Sequence, residues 1–251
     1  MGTVASLWRY PIKSHGREAL GTVELIAGQT IPWDRHWAVT HADTQFDDAN
    51  PAWVFCRNFM IGNLTPDLAG LWATLDEATA TVTLRHEALG EITFRPDNMA
   101  DTTRFIDWIM PICPADKRVP RAIAHVPGQG LTDTDFPSVS IMNMASHAAV
   151  ADKIDQPFAI ERWRANIWVD GFDAWCECDW IGNTVTIGDT ILRVTAPVIR
   201  CNHTAANPHT GKRDVDTLRV LRDNWDHQNF GVYAEVIQGG TVHLGDKLKV
   251  N

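Results

Sequence analysis

The sequence is short of several things that whole classes of protein require. Basic residues are outnumbered: 22 Lys and Arg face 31 Asp and Glu, for a formal charge of −9. Binding to a phosphate backbone depends on cationic excess, so nucleic acid is not an expected partner. Long apolar runs are missing, and none approaches the ~20 residues that span a bilayer as a helix. The N-terminal MGTVASLWRYPIKS has neither the basic start nor the long apolar centre of a signal peptide. A cytoplasmic protein with no membrane partner is the expectation. Cysteines number five, an odd count that makes no paired secreted framework, so reduced thiols are expected. Tyrosine is scarce, with two against 11 Trp. The scattered Trp read as core and interface packing.

What is there is ordinary globular material, 45% hydrophobic and 21% charged over 251 residues. That suffices for one large domain or two modest ones. Short strands are expected at Val4 to Tyr10, Thr22 to Ile26, and from Arg35 to Thr40, with Arg35 near the start of the third. Leu71 to Leu75, Thr81 to Arg85 and Glu91 to Phe94 read as an antiparallel meander. Thr102 to Met110 spaces Phe105, Ile106 and Ile109 as a helix that Asp101 can cap, and Arg121 to Val126 is a further strand. The Gly-, Asp- and Thr-rich stretch from Gly128 to Pro137 is the candidate boundary, dividing the chain into residues 1–127 and 128–251.

Beyond it, Asn143 can cap a helix over Ser146 to Ile154. Glu161 to Val169 reads as a strand with Arg164 and Asn166 on one face. Cys176 and Cys178 read as structural thiols sharing a strand face. A hairpin turns at Gly188-Asp189, a helix covers Asp214 to Asp223, and strands at Gly231 to Ile237, Thr241 to Leu244 and Lys247 to Val250 close the chain. The fold class is mainly β with a few helices (α+β), in two β-barrel-like domains. Phe46-Asp47-Asp48 and Asp133 to Asp135 read as solvated loop acids.

One stretch carries chemistry. The apolar run Thr186 to Val198 contains Pro197 and gives way to Arg200-Cys201, then to a Pro-His-Thr-Gly turn. Pro and Gly end regular structure, which puts Cys201 just past a strand, at a rim. A fixed positive charge beside a thiol favours the thiolate, so Arg200 is expected to activate Cys201. A thiolate there can be a nucleophile, a redox thiol or a soft-metal ligand, although taken alone Cys201 reads first as an inert buried thiol.

The surrounding residues resemble the MOSC family. Tyr10-Pro11-Ile12-Lys13-Ser14 and Asp34-Arg35-His36-Trp37 are similar to its N-terminal signatures. Arg162-Trp163-Arg164-Ala165-Asn166-Ile167, and Arg200-Cys201 followed by Asn207-Pro208-His209-Thr210-Gly211, are similar to its C-terminal ones, as is the ending around Phe230-Gly231-Val232. The N-terminal pieces resemble the subgroup with an additional N-terminal β-barrel domain, and the functional likeness is to amidoxime-reducing components. The resemblance implies a molybdenum cofactor, molybdopterin, with Cys201 as the protein's thiolate on molybdenum. It implies that Lys13, Arg35, Arg164 and Arg200 hold the anionic cofactor, with Ser14 and Asn166 as neutral hydrogen-bonders and Asn143 and Ser146 joining by position. It implies an oxidoreductase that takes oxygen from N-hydroxylated or related small-molecule substrates. Electrons would come from a separate ferredoxin- or flavin-type protein. The sequence departs from the pattern at Ile199, where relatives carry Ser, and at Asn207, where they carry Asp. A cofactor or sulfur carrier without turnover stays open as an alternative, as does a barrel that binds some other small molecule.

Overall fold

The computed structural model describes residues 1–114 and 118–251. In chain order the strands and helices are β1 (Gly2–Arg9), β2 (Glu18–Leu20), β3 (Thr22–Leu25), β4 (Trp37–His41), β5 (Trp72–Asp76), β6 (Thr81–His86), β7 (Gly90–Phe94), α1 (Met99–Ile109), β8 (Pro120–His125), β9 (Val139–Asn143), α2 (Met144–Ala151), β10 (Ile167–Asp170), β11 (Thr184–Ile187), β12 (Thr190–Ile199), α3 (Thr217–Trp225), β13 (Asn229–Gln238), β14 (Gly240–His243) and β15 (Lys247–Val250). Strands dominate and helices are few, as the patterning predicts.

Seven strands close a barrel in the order β10-β9-β13-β12-β11-β15-β1, and the ring is completed by antiparallel pairing of β1 with β10. Only β9 and β10 run parallel. Alternation fills the interior: Val139 and Ile141, Ile167 and Val169, Leu192 and Val194, and Val232, Ala234 and Val236 all point into one buried cluster. Val4 and Leu7 of β1 join that cluster, although β1 opens the chain. The short β3–β14 ladder adds Val23, Leu25 and Val242 to it. The two halves of the sequence are therefore interleaved.

The rest of the first half builds its own core. The β5-β6-β7 meander, the β4–β8 pair and α1 enclose Trp37, Val39, Leu71, Leu84, Phe94, Phe105 and Ile109. A third cluster lies outside the barrel, where Trp8, Tyr10, Trp163, Trp168 and Phe230 pack beneath α2 and α3. Trp163 and Phe230 stack at 3.8 Å between centroids.

Three local expectations need correction. Helix α1 starts earlier and is capped by Asn98, whose side chain accepts from Asp101 N–H; Asp101 reaches back to Arg95 N–H. The strand expected over Glu161 to Val169 begins only at Ile167, because residues Ile160–Trp163 form a 3₁₀ turn that Arg164 ends in a left-handed conformation. Arg164 and Asn166 accordingly do not share a strand face. Cys176 and Cys178 lie in a 3₁₀ segment, Cys176–Trp180, rather than on a strand.

Candidate functional site

The cavity that gathers the chemistry encloses about 170 Å³. Its floor is the outer wall of the barrel. Ser140 and Tyr233 are cross-strand partners on β9 and β13, on the face opposite the residues that fill the interior, and both line the cavity. The cover comes from the first half: the Lys13–Ser14 turn after β1, Arg35 before β4, and Cys56 and Ile61 to Asn63 from the segment after β4. Arg164 enters from the turn before β10, and Arg200-Cys201 from the end of β12. Cys201 thus sits just past a strand as expected, but against the outside of the barrel.

Backbone strain collects here. Ser14, Arg35 and Arg164 have φ of 61°, 49° and 51°, a left-handed region that costs a side-chain-bearing residue roughly 1–2 kcal/mol. Each turn aims its side chain at the cavity, and the surrounding packing sustains the conformation. Arg35 and Arg164 both lie over the Tyr10 ring, each 4.2 Å from its centroid. The Tyr10 hydroxyl donates to Ala165 O at 2.9 Å, and its amide donates to Asp34 Oδ1. Asp34 is fully buried, and its other oxygen accepts from Arg35 Nη1 at 2.5 Å.

The two guanidiniums differ in charge balance. For Arg35 burial works against the charge, but Asp34, Tyr10 and Asp133 together outweigh it, and the pKa rises. Arg164 donates to Gly16 O at 3.1 Å, and no carboxylate pairs with it among the described residues. Burial, with the neighbouring Arg35 and Arg17, lowers it to about 9. A half-buried cation with no paired carboxylate among the described residues favours an incoming anion.

Lys13, 5% exposed, donates to Leu131 O at 2.8 Å and pairs with Asp133 at 2.5 Å. Asp133 was expected to be a solvated loop acid. Its carboxylate is exposed, but it lines the cavity and is tied to Lys13, so it belongs to the site. The cavity walls beside this exposed carboxylate work to raise its pKa, but Lys13, then Arg35 and Arg164, hold it below the ordinary value.

Arg200 does not do what its position beside Cys201 suggests. Its guanidinium turns away onto Phe230 O, Trp163 O and Met142 Sδ. It ties the end of β12 to the start of β13 and contributes positive potential. Cys201 is an exposed residue that lines the cavity, yet enough protein surrounds its thiol that burial raises the pKa. The His203 amide and Arg200 pull it down, and Asp133 pushes the same way as burial. The expected activation by Arg200 is therefore outweighed. The resting group is a thiol, and a metal would have to displace its proton.

Six of the nine expected residues line one cavity: Lys13, Ser14, Arg35, Arg164, Arg200 and Cys201. The other three are placed elsewhere. Asn166 is buried, accepts from Ser140 and donates to Trp8 O, so it braces the floor from behind. Asn143 caps α2 and, with Ser146, donates to the buried carboxyl of Glu177 at 3.2 and 2.8 Å. Sequence reasoning did not assign Asp133, Tyr233, Ser140, Arg162, Cys56 or the Ile61 to Asn63 segment to the site. Arg162 was quoted in a motif; it is 2% exposed and pairs with Asp214. The signal available for Tyr233 was rarity, since both tyrosines of the chain border this site. The turn Asn207 to Gly211 is held by Arg17, whose buried guanidinium donates to Pro208 O, Ala69 O and Leu71 O. Gly211 (φ 70°) packs so closely on Asp67 that a Cβ would lie 2.6 Å from its Cα.

Residues 131–249 match the MOSC domain, and residues 1–109 match the MOSC N-terminal β-barrel domain. The chain is a MOSC protein with both domains. Among its relatives, mitochondrial amidoxime-reducing component 1 of Xenopus laevis is 30% identical over 124 residues, 45% of this chain and 36% of that protein. The human component 1 is 23% identical over an alignment covering 98% of this MOSC protein and 82% of the relative. Among solved structures, the YuaD protein of Bacillus subtilis covers 99% of the chain and 94% of its own at 13% identity and a TM-score of 0.48. YiiM of Geobacillus stearothermophilus covers 45% and 53% at 18% identity and a TM-score of 0.36. No helix among the described residues of this MOSC protein is long and apolar enough to cross a membrane.

The residues fit a soft, anionic, metal-bearing cofactor. Among the described residues no group of three or more His, Cys, Asp and Glu gathers, so a metal on Cys201 would need its other ligands from a cofactor. Arg164 lacks a counter-anion, and Nδ1 of the buried His203, a cavity residue, has no hydrogen-bond partner among the described residues.

Proposed function

We propose that this MOSC protein binds molybdopterin in the cavity described and is an oxidoreductase acting on N-hydroxylated or related N- or S-oxygenated small molecules. The observation that carries the reading is an open thiol, Cys201, in one cavity with Lys13, Arg35, Arg164 and Arg200. The relatives' names, amidoxime-reducing components, supply the substrate class. The cofactor, when bound, supplies two-electron removal of oxygen from the substrate.

The chain's own residues have separable tasks. Cys201 gives up its proton and offers a thiolate. Arg164 and Arg35, set by their turns and by the Tyr10 ring, present guanidinium donors to anionic oxygens. Lys13 offers a point charge at the covered end. Arg200 keeps Cys201 in place through backbone carbonyls. The first-half cover over the barrel wall limits water at the metal. Electrons come from a separate protein. The compartment is a reducing one such as the cytoplasm, in keeping with five free cysteines.

The test is elemental analysis of protein from a molybdate-fed host. Wild type is expected to retain molybdenum near one per chain. Cys201→Ser is expected to fold, to melt with wild type prepared without molybdate, and to lose most of the metal or of its turnover. A Cys201→Ser protein that keeps both would refute the ligand role. Turnover of an amidoxime by the chemically reduced protein separates an enzyme from a carrier that only holds the cofactor.

A further inference from the structure

Ile199 ends β12, lines the cavity and is 73% exposed. A bare aliphatic side chain is common on a protein surface and means little alone. Its place gives this one meaning. Ile199 stands two residues before Cys201. The backbone is extended through Ile199 and again at Cys201, where φ is −110° and ψ is 173°. At that spacing an extended chain sends its side chains off on the same side. Arg200, between them, is tied down onto Phe230 O and Trp163 O. Val198, 4% exposed, and Ile61 of the cover add apolar surface to the same cavity. Among the described residues, Ile199 is the large apolar liner that is mostly uncovered.

A substrate that reacts beside Cys201 lays the rest of itself against the neighbours of that residue. A polar substituent set against Ile199 gives up water and finds no hydrogen bond there. An aryl or branched alkyl substituent removes apolar area from water on both surfaces. We propose that Ile199 is the specificity-determining residue for the non-reacting end of the substrate, and that the preferred substrates are N-hydroxylated compounds carrying an aryl or bulky alkyl group on the carbon next to the reacting nitrogen. The inference rests on the function proposed above for the reacting end and adds the chemistry of the other end.

The test measures affinity, so it does not depend on turnover. Benzamidoxime and acetamidoxime share the reacting group and differ in phenyl against methyl. Both are titrated by calorimetry into the oxidised full chain without reductant. Wild type is expected to bind benzamidoxime more tightly. Ile199→Ser is expected to lower that preference about three- to tenfold, and Ile199→Leu, which keeps the apolar volume, to retain it. Met99→Ser removes an 86% exposed side chain that does not line the cavity and is expected to keep the wild-type preference. An unchanged preference in Ile199→Ser would overturn the proposal, as would an equal fall in Met99→Ser. A wild type without any preference for benzamidoxime overturns it with no variant needed. Turnover by the chemically reduced protein keeps the two claims apart. Both amidoximes reduced, with a preference that ignores Ile199, sinks this inference alone. A preference that follows Ile199 in a protein that reduces neither sinks the oxidoreductase reading alone. A wild type that binds neither amidoxime overturns both.

Discussion

Tyr10 keeps two cations beside one ring. Arg35 and Arg164 each lie 4.2 Å from its centroid, and burial, against the pull of those two cations, raises the phenol to about 12. The ring is therefore a neutral donor that spaces like charges. Glu177 is the opposite case. It is fully buried, its Oε1 has no partner among the described residues, and burial raises its pKa despite the bonds from Ser146 and Asn143. An acid raised in the folded state contributes its full stability below the ordinary carboxyl value of 4.5, and that stability is lost as pH rises through the folded value. Glu177→Gln removes the penalty. Its melting temperature relative to wild type is expected to climb as pH goes from about 4 to about 8, measured by calorimetry. A difference that does not vary with pH would mean that Glu177 is not held neutral. At this scale the residues of the local motifs were legible, because Lys13, Arg35, Arg164 and Cys201 each sit in a short recognisable string. Asn143 and Ser146 misled because their partner lies more than 30 residues away, where no local pattern records it. The Arg200 guanidinium misled for the same reason: adjacency in sequence to Cys201 says nothing of the carbonyls it faces.

Strands were the more legible elements, since a two-residue alternation survives in β5, β6, β7, β11 and β15. The turns were not, and the site is made of turns. The left-handed residues Ser14, Arg35 and Arg164 carry no Gly or Asn to announce them. Arg164→Gly separates the turn's conformation from the charge it carries. Glycine accepts φ near 51° without strain, which offsets the lost contact with Tyr10. With both proteins prepared without molybdate, the variant is expected to unfold in urea within about 1 kcal/mol of wild type. Its molybdenum content after purification from a molybdate-fed host is expected to fall at least about tenfold, because a half-buried charge-assisted contact is gone. Metal retention equal to wild type would remove Arg164 from the anion site.

At the scale of the whole molecule, a boundary near residue 128 is visible in composition but does not describe how the barrel is closed. Strand β1 pairs with both β10 and β15, and Val4 and Leu7 lie in the barrel core. A fragment of residues 128–251 would have an open seam and would lack the core side chains of Val4, Leu7, Val23, Leu25 and Ile31, each worth roughly 1.5–3 kcal/mol when buried. It is expected to aggregate or to melt without a cooperative transition. Adding a peptide of residues 1–25 is expected to restore one, read by circular dichroism. A fragment that folds cooperatively alone would show that β1 is dispensable. Alternation marked β1 as a strand but could not name its partners, because pairing across more than 150 residues leaves no trace in a local window.

The same closure fixes the order of events during synthesis. Residues 2–9 leave the ribosome well before Ile167–Asp170 and Lys247–Val250, and until those emerge β1 can pair only with β2. Until then the wall that carries Ser140, Tyr233 and Cys201 is not locked, and the Lys13 turn has nothing to cover. A nascent chain that has not yet exposed β10 and β15 therefore has no place to receive a cargo, and loading must follow their emergence.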